Sequence, residues 1–79
     1  MERTLFDYAK LKGRIKEKCD TQKAFASMLG VSEGTLIQKL NCRVYFTQSE
    51  ILRSAGILEI PQENLFAYFF TPRVHKCEQ

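Results

Sequence analysis

Residues 21–40 read Thr-Gln-Lys-Ala-Phe-Ala-Ser-Met-Leu-Gly-Val-Ser-Glu-Gly-Thr-Leu-Ile-Gln-Lys-Leu, and the spacing within this stretch decides the fold. Phe25, Ala26 and Leu29 fall on one face of a helix predicted over residues 22–29, which Thr21 can cap. Gly30 stops that helix, because glycine enters the left-handed conformation without a Cβ penalty. Val31 is a single apolar plug, and Ser32 is a ready N-cap for a second helix over 33–40, with Leu36 and Leu40 turned inward. Two short helices joined by a three-residue link containing glycine have the sequence form of a helix-turn-helix.

The flanks supply the rest of a bundle. Upstream, Asp7 can cap a helix over 8–18, in which Tyr8, Leu11 and Ile15 form a stripe that continues to Cys19. Downstream, Asn41 is expected to end the helix over 33–40 in the left-handed conformation, followed by a loop or short extended piece at Cys42-Arg43-Val44-Tyr45-Phe46. Thr47-Gln48-Ser49-Glu50 then has the form of a capping box, opening a helix over 48–58 through Ile51, Leu52, Ala55 and Leu58. Pro61 suits the start of a fifth helix over 62–67, and a polar tail covers 71–79. The expectation is one all-α domain over 1–79, a compact bundle of five short helices with room for a short extended C-terminal segment.

Composition narrows the function. The chain has 79 residues, of which 44% are hydrophobic, and a formal net charge of +3. A large enzyme with a two-lobed cleft does not fit in this length. No apolar stretch reaches the roughly 18 residues a membrane helix needs, and Met1-Glu2-Arg3-Thr4 lacks the plan of a signal peptide, so a cytoplasmic protein is expected. Cys19, Cys42 and Cys77 are widely spaced and His75 is the one histidine, which predicts reduced thiols, no zinc site and no cofactor. There is neither a phosphate loop nor a nucleophile-and-base pattern, so no catalytic residue is assigned.

The run from Thr21 through Gly30-Val31-Ser32 to Thr35-Leu36 resembles the helix-turn-helix of the phage Cro and CI repressors, the XRE-type family, whose pattern is Thr-Gln-x-x-Leu-Ala-x-x-Leu-Gly-Val-Ser-x-x-Thr-Ile. The likeness extends over about Leu11 to Leu65, and the whole chain is similar to small Cro-like proteins of temperate phages of Gram-positive bacteria. It departs from the pattern in four places. Ile15 and Leu40 stand where the family commonly has a buried Arg–Glu pair, Cys42 where glycine is usual, and Lys39 where an aliphatic is usual. Two aliphatics in place of an ion pair are compatible with the fold.

The resemblance implies a lambda-repressor-like DNA-binding domain that reads an operator major groove with helix 33–40. Gln22, opening its helix, would hold a phosphate, with Lys23 beside it. Ser32, Glu33, Gly34, Thr35 and Gln38 match groove-facing positions, Gln38 suiting adenine and Glu33 a cytosine amino group. Lys39 and Arg43 would meet phosphates. Charge placement agrees in sense: residues 10–23 hold six basic and two acidic side chains. Phe66, Tyr68, Phe69 and Phe70, with Val74, exceed what a small core accommodates and are expected to share in a homodimer contact, which a palindromic operator requires. The implied setting is the nucleoid of a bacterial host, with double-stranded DNA as partner and neither membrane nor small-molecule ligand. The competing expectation is a helix-turn-helix that binds and inhibits a host or phage protein, as an antirepressor does, which Glu33, Gly34 and the modest net charge favour.

Overall fold

Local signals start and stop the helices. In the computed structural model, which describes residues 5–72, α1 spans Ala9–Cys19, α2 Gln22–Leu29, α3 Glu33–Leu40, α4 Gln48–Leu58 and α5 Leu65–Phe69. Asp7 Oδ1 accepts the Ala9 N–H at 2.9 Å, drawing the chain into α1. Thr21 Oγ1 accepts from Ala24 N at 3.0 Å, and Ser32 Oγ from Thr35 N at 3.1 Å. Between them Gly30 sits at φ +91°, donating to the Ala26 carbonyl and turning the chain from α2 into α3. The capping box is reciprocal: Thr47 N donates to Glu50 Oε1 at 2.9 Å while Glu50 N donates to Thr47 Oγ1 at 3.1 Å. After Pro61, a 3-10 turn over Gln62–Asn64 leads into α5, so the helix predicted over 62–67 begins as a tighter coil and ends two residues later.

The core collects the predicted faces. Leu11 and Ile15 of α1, Phe25, Ala26 and Leu29 of α2, and Leu36 and Leu40 of α3 are all buried, joined by Tyr8, Leu58 and Ile60. Ile15 and Leu40 are accommodated as plain aliphatics. Arginines tie helix ends together from a distance. Arg14 on α1 donates from Nε to the Leu58 carbonyl and from Nη2 to the Glu59 carbonyl, each at 2.9 Å, satisfying the end of α4. Arg53 on α4 does the same for α2, reaching the Leu29 carbonyl at 2.9 Å.

Two expectations about the exit of α3 are corrected. Asn41 is not left-handed, with φ −95° and ψ 9°; Cys42 takes that conformation instead, at φ +63°. Its buried thiol explains how a residue with a Cβ holds this place. Cys42 Sγ receives the Phe6 N–H at 3.3 Å and lies 3.4 Å from the Phe6 carbonyl as donor, fastening the N-terminal segment to the loop after α3. The extended C-terminal segment reduces, among the described residues, to a bridge between Phe6 and Pro72, with Asp7 N donating to the Thr71 carbonyl at 2.8 Å. Within the described residues no helix is long and apolar enough to cross a membrane.

The second correction concerns Lys39. It is 4% exposed, with its ammonium 2.9 Å from Glu50 Oε1, 3.2 Å from the Tyr45 carbonyl and over the Phe46 ring at 5.8 Å. Helical phase explains the burial: Lys39 adjoins Leu36 and Leu40 on the inward arc of α3, and Glu50 is held in place by its capping role. The fold therefore contains a buried ion pair, built between α3 and α4 rather than between α1 and α3. Burial pushes the Glu50 carboxyl up, but the Thr47 N–H and the Lys39 ammonium outweigh it and leave it below its ordinary range.

Glu50→Gln keeps the capping hydrogen bond but strands the Lys39 charge, so it is expected to lower unfolding stability by about 3 kcal/mol in urea titrations, with Lys39→Met/Glu50→Gln recovering most of the loss. Because the native carboxyl is depressed, its contribution is complete above the ordinary carboxylate pKa of about 4.3 and is lost as pH falls through the native value. The urea midpoints of the parent and Glu50→Gln are thus expected to differ at pH 7 and to converge in acid below pH ~4.

Candidate functional site

The outer surface of α2 and α3 is the part of the molecule that the helix-turn-helix geometry presents. Gln22, half-buried, opens α2 directly after its Thr21 cap, and Lys23 is exposed beside it. On α3, Glu33, Gly34 and Gln38 are exposed, and a Cβ placed on Gly34 would meet no atom within 4 Å. Gly34 is therefore not required by packing inside this chain. Ser32 and Thr35 are partly committed to the helix start, since the Ser32 hydroxyl also donates to Thr35 Oγ1 at 2.9 Å. Arg43 is exposed in the loop after α3.

Lys39 is absent from this surface because it faces Glu50 in the interior. What the surface carries instead is apolar. Ile37 is 41% exposed and Met28, at the end of α2, is 58% exposed. Ile37 lies three and four residues from Gly34 and Glu33, so these three positions share one strip of α3 with Asn41. The signal for Ile37 was present in the sequence, though it was not among the predicted site residues: a helix that buries Leu36 and Leu40 turns Ile37 outward. Met28 had the same signal, lying off the arc of Phe25 and Leu29.

The basic surplus of residues 10–23 is partly used for internal structure. Arg14 caps α4, Lys18 pairs with Glu59 at 3.0 Å, and the Lys10 ammonium sits 5.3 Å from the centre of the Tyr68 ring. The Lys18 hydrogen bond draws the Glu59 carboxyl below its ordinary range. Lys12, Lys16 and Lys23 remain as exposed cations that make no ion pair among the described residues.

The aromatic C-terminal run divides. Phe69 is corrected from dimer contact to core: it is 2% exposed and packs edge-on to Phe46 at 5.4 Å, because α5 turns it onto the bundle. Tyr68 is half-buried under Lys10. Phe66 and Phe70 stay on the surface, 5.8 Å apart, and Val74 lies outside the described residues. Cys19 and Cys42 are free thiols, and among the described residues no group of three His, Cys, Asp or Glu side chains is placed to hold a metal ion.

This arrangement has a relative of known structure. The chain is 43% identical to the modulator of repression (MOR) of the temperate bacteriophage TP901-1 from Lactococcus lactis, whose solution structure superposes with a TM-score of 0.75, covering 89% of this chain and 95% of that one. No curated protein matches significantly. Residues 4–72 match the family described as protein of unknown function (DUF739). That span takes in every helix among the described residues, and the chain belongs to the DUF739 family.

Proposed function

We propose that this chain is a binding protein rather than a catalyst, and that it regulates a phage repression switch by laying its α2–α3 face against another protein. One observation carries the choice of partner. Lys39, which the sequence reading expected to meet phosphates, is withdrawn into an ion pair, while Ile37 is presented to solvent with Glu33 on the same strip. An apolar anchor flanked by a carboxylate suits a protein surface with an apolar pocket and a basic rim better than it suits a phosphate backbone. The similar protein of phage TP901-1 is a modulator of repression, which supports a repressor as the protein addressed. The place of action would be the host cytoplasm.

Direct operator reading of the Cro type is the second possibility, favoured by the intact Thr21 and Ser32 caps, the position of Gln22, and exposed Lys12, Lys16 and Lys23. In that reading Gln38 reads a base and exposed Phe66 and Phe70 join two copies on a palindrome.

Band-shift titrations separate the two, using duplexes from the DNA flanking the gene, with and without the repressor encoded in the same phage. The chain alone is expected to leave every duplex unshifted and to change the pattern only when the repressor is present. A shift by the chain alone that weakens steeply with rising salt would establish the operator reading instead. Ile37→Asp is expected to weaken the complex with the repressor at least about tenfold in calorimetric titration with its helical circular dichroism unchanged. Lys39→Met is expected to leave that affinity within about twofold, since Lys39 contributes to folding and not to the contact surface.

A further inference from the structure

A second concavity lies apart from α2 and α3, and none of its lining residues belongs to either helix. It is a half-open cleft of about 310 Å³ walled by the rings of Phe6, Tyr8, Tyr45, Phe46 and Phe70, with Ile51 of α4. The rings hold each other edge to face. Phe6 meets Tyr45 at 6.0 Å and Phe70 at 6.2 Å, and Tyr8 meets Phe46 at 5.6 Å with planes 83° apart. These contacts brace the walls, so the space is not an accident of one loose side chain. The cleft is at the small end of ligand pockets, and about twice the roughly 150 Å³ apolar cavity that accepts benzene.

Its chemistry is specific. No lining residue carries a charge, which disfavours an ion. Tyr8, 4% exposed, is the most buried polar residue of the lining, and its hydroxyl makes no hydrogen bond among the described residues. Burial, with Cys42 and Tyr45 nearby, raises its pKa to about 12, so it remains a neutral hydroxyl at physiological pH. A buried hydroxyl is nearly always paired, and one left over on the wall of an aromatic cleft asks for a partner from outside the chain.

We propose that this cleft binds an uncharged aromatic group of phenol to indole size, whose polar atom pairs with the Tyr8 hydroxyl while its ring packs among Phe6, Phe46 and Phe70. An aromatic with one polar atom satisfies both halves of the site, the apolar walls and the unpaired hydroxyl. The same chemistry is carried by a free small molecule and by a tyrosine or tryptophan side chain on a partner. The site stands independently of the role given to α2 and α3.

The test is a set of titrations of the full chain followed by the Ile51 methyl resonance. The probes are benzene, phenol, indole, N-acetyltyrosinamide, N-acetyltryptophanamide and benzoate. Phenol and indole are expected to give saturable shifts about five- to tenfold tighter than benzene, and Tyr8→Phe to remove that advantage while leaving benzene affinity and the melting temperature unchanged. Blocked amino acids binding as well as the free rings would identify the occupant as a side chain; binding confined to the free rings would identify it as a small molecule. No saturable shift at tens of millimolar, a preference for benzoate, or an advantage of phenol that survives Tyr8→Phe would each overturn the proposal.

Discussion

The ion pair between Lys39 and Glu50 is the constraint on which the rest of the molecule depends. A lysine ammonium inside a domain this small is tolerated only when its charge and its hydrogen bonds are matched, and here a carboxylate, a carbonyl and an aromatic face do so together. The match requires that α4 begin directly after the Thr47 cap, since it is the capping box that holds Glu50 still. It also requires that the loop over residues 41–46 fold back far enough to bring the Tyr45 carbonyl and Phe46 ring over the end of α3. The left-handed Cys42 provides that reversal, and its thiol draws Phe6 into the same structure. One buried charge thus sets the loop, the start of α4 and the attachment of the N-terminal segment.

The same pair shapes the outer surface. A surface cation at the end of a recognition helix is worth most where it meets phosphates; inside the bundle Lys39 serves geometry alone. Arg14 and Lys18 repeat the pattern on α1, where charges that look like an electrostatic footprint in the sequence are turned toward the end of α4. The protein's structural relative, a phage modulator of repression, shares the helical fold, and in this chain Lys39 and Arg14 are committed to internal structure rather than to the outer face.

Much of the fold was legible because its determinants are local. Thr21, Gly30, Ser32, Thr47 and Glu50 each act within four residues of themselves, and the structure uses all five in the roles their identities suggest. The features that were not legible depend on distant partners. Lys39 looks like a phosphate ligand until Glu50 is brought beside it, and Asn41 looks like the better left-handed residue until the Cys42 thiol finds Phe6. Phe69 was indistinguishable from Phe66 and Phe70 within an aromatic run, because α5 is too short for its phase to be read. Exposed Ile37 was readable from the phase of Leu36 and Leu40, but the repressor pattern gives weight only to the polar positions around it.

The bridge between Phe6 and Pro72 joins positions near the two ends of the described chain, and its Phe6 is also a wall of the aromatic cleft. Contacts of such separation carry the largest loop-closure entropy, whereas α2 and α3 are joined through a three-residue turn. The two surfaces of the molecule consequently belong to different tiers of cooperativity. The helix-turn-helix can be shaped early and locally, while the cleft comes into being only when the chain has been drawn into a ring, which couples its integrity to that of the whole fold.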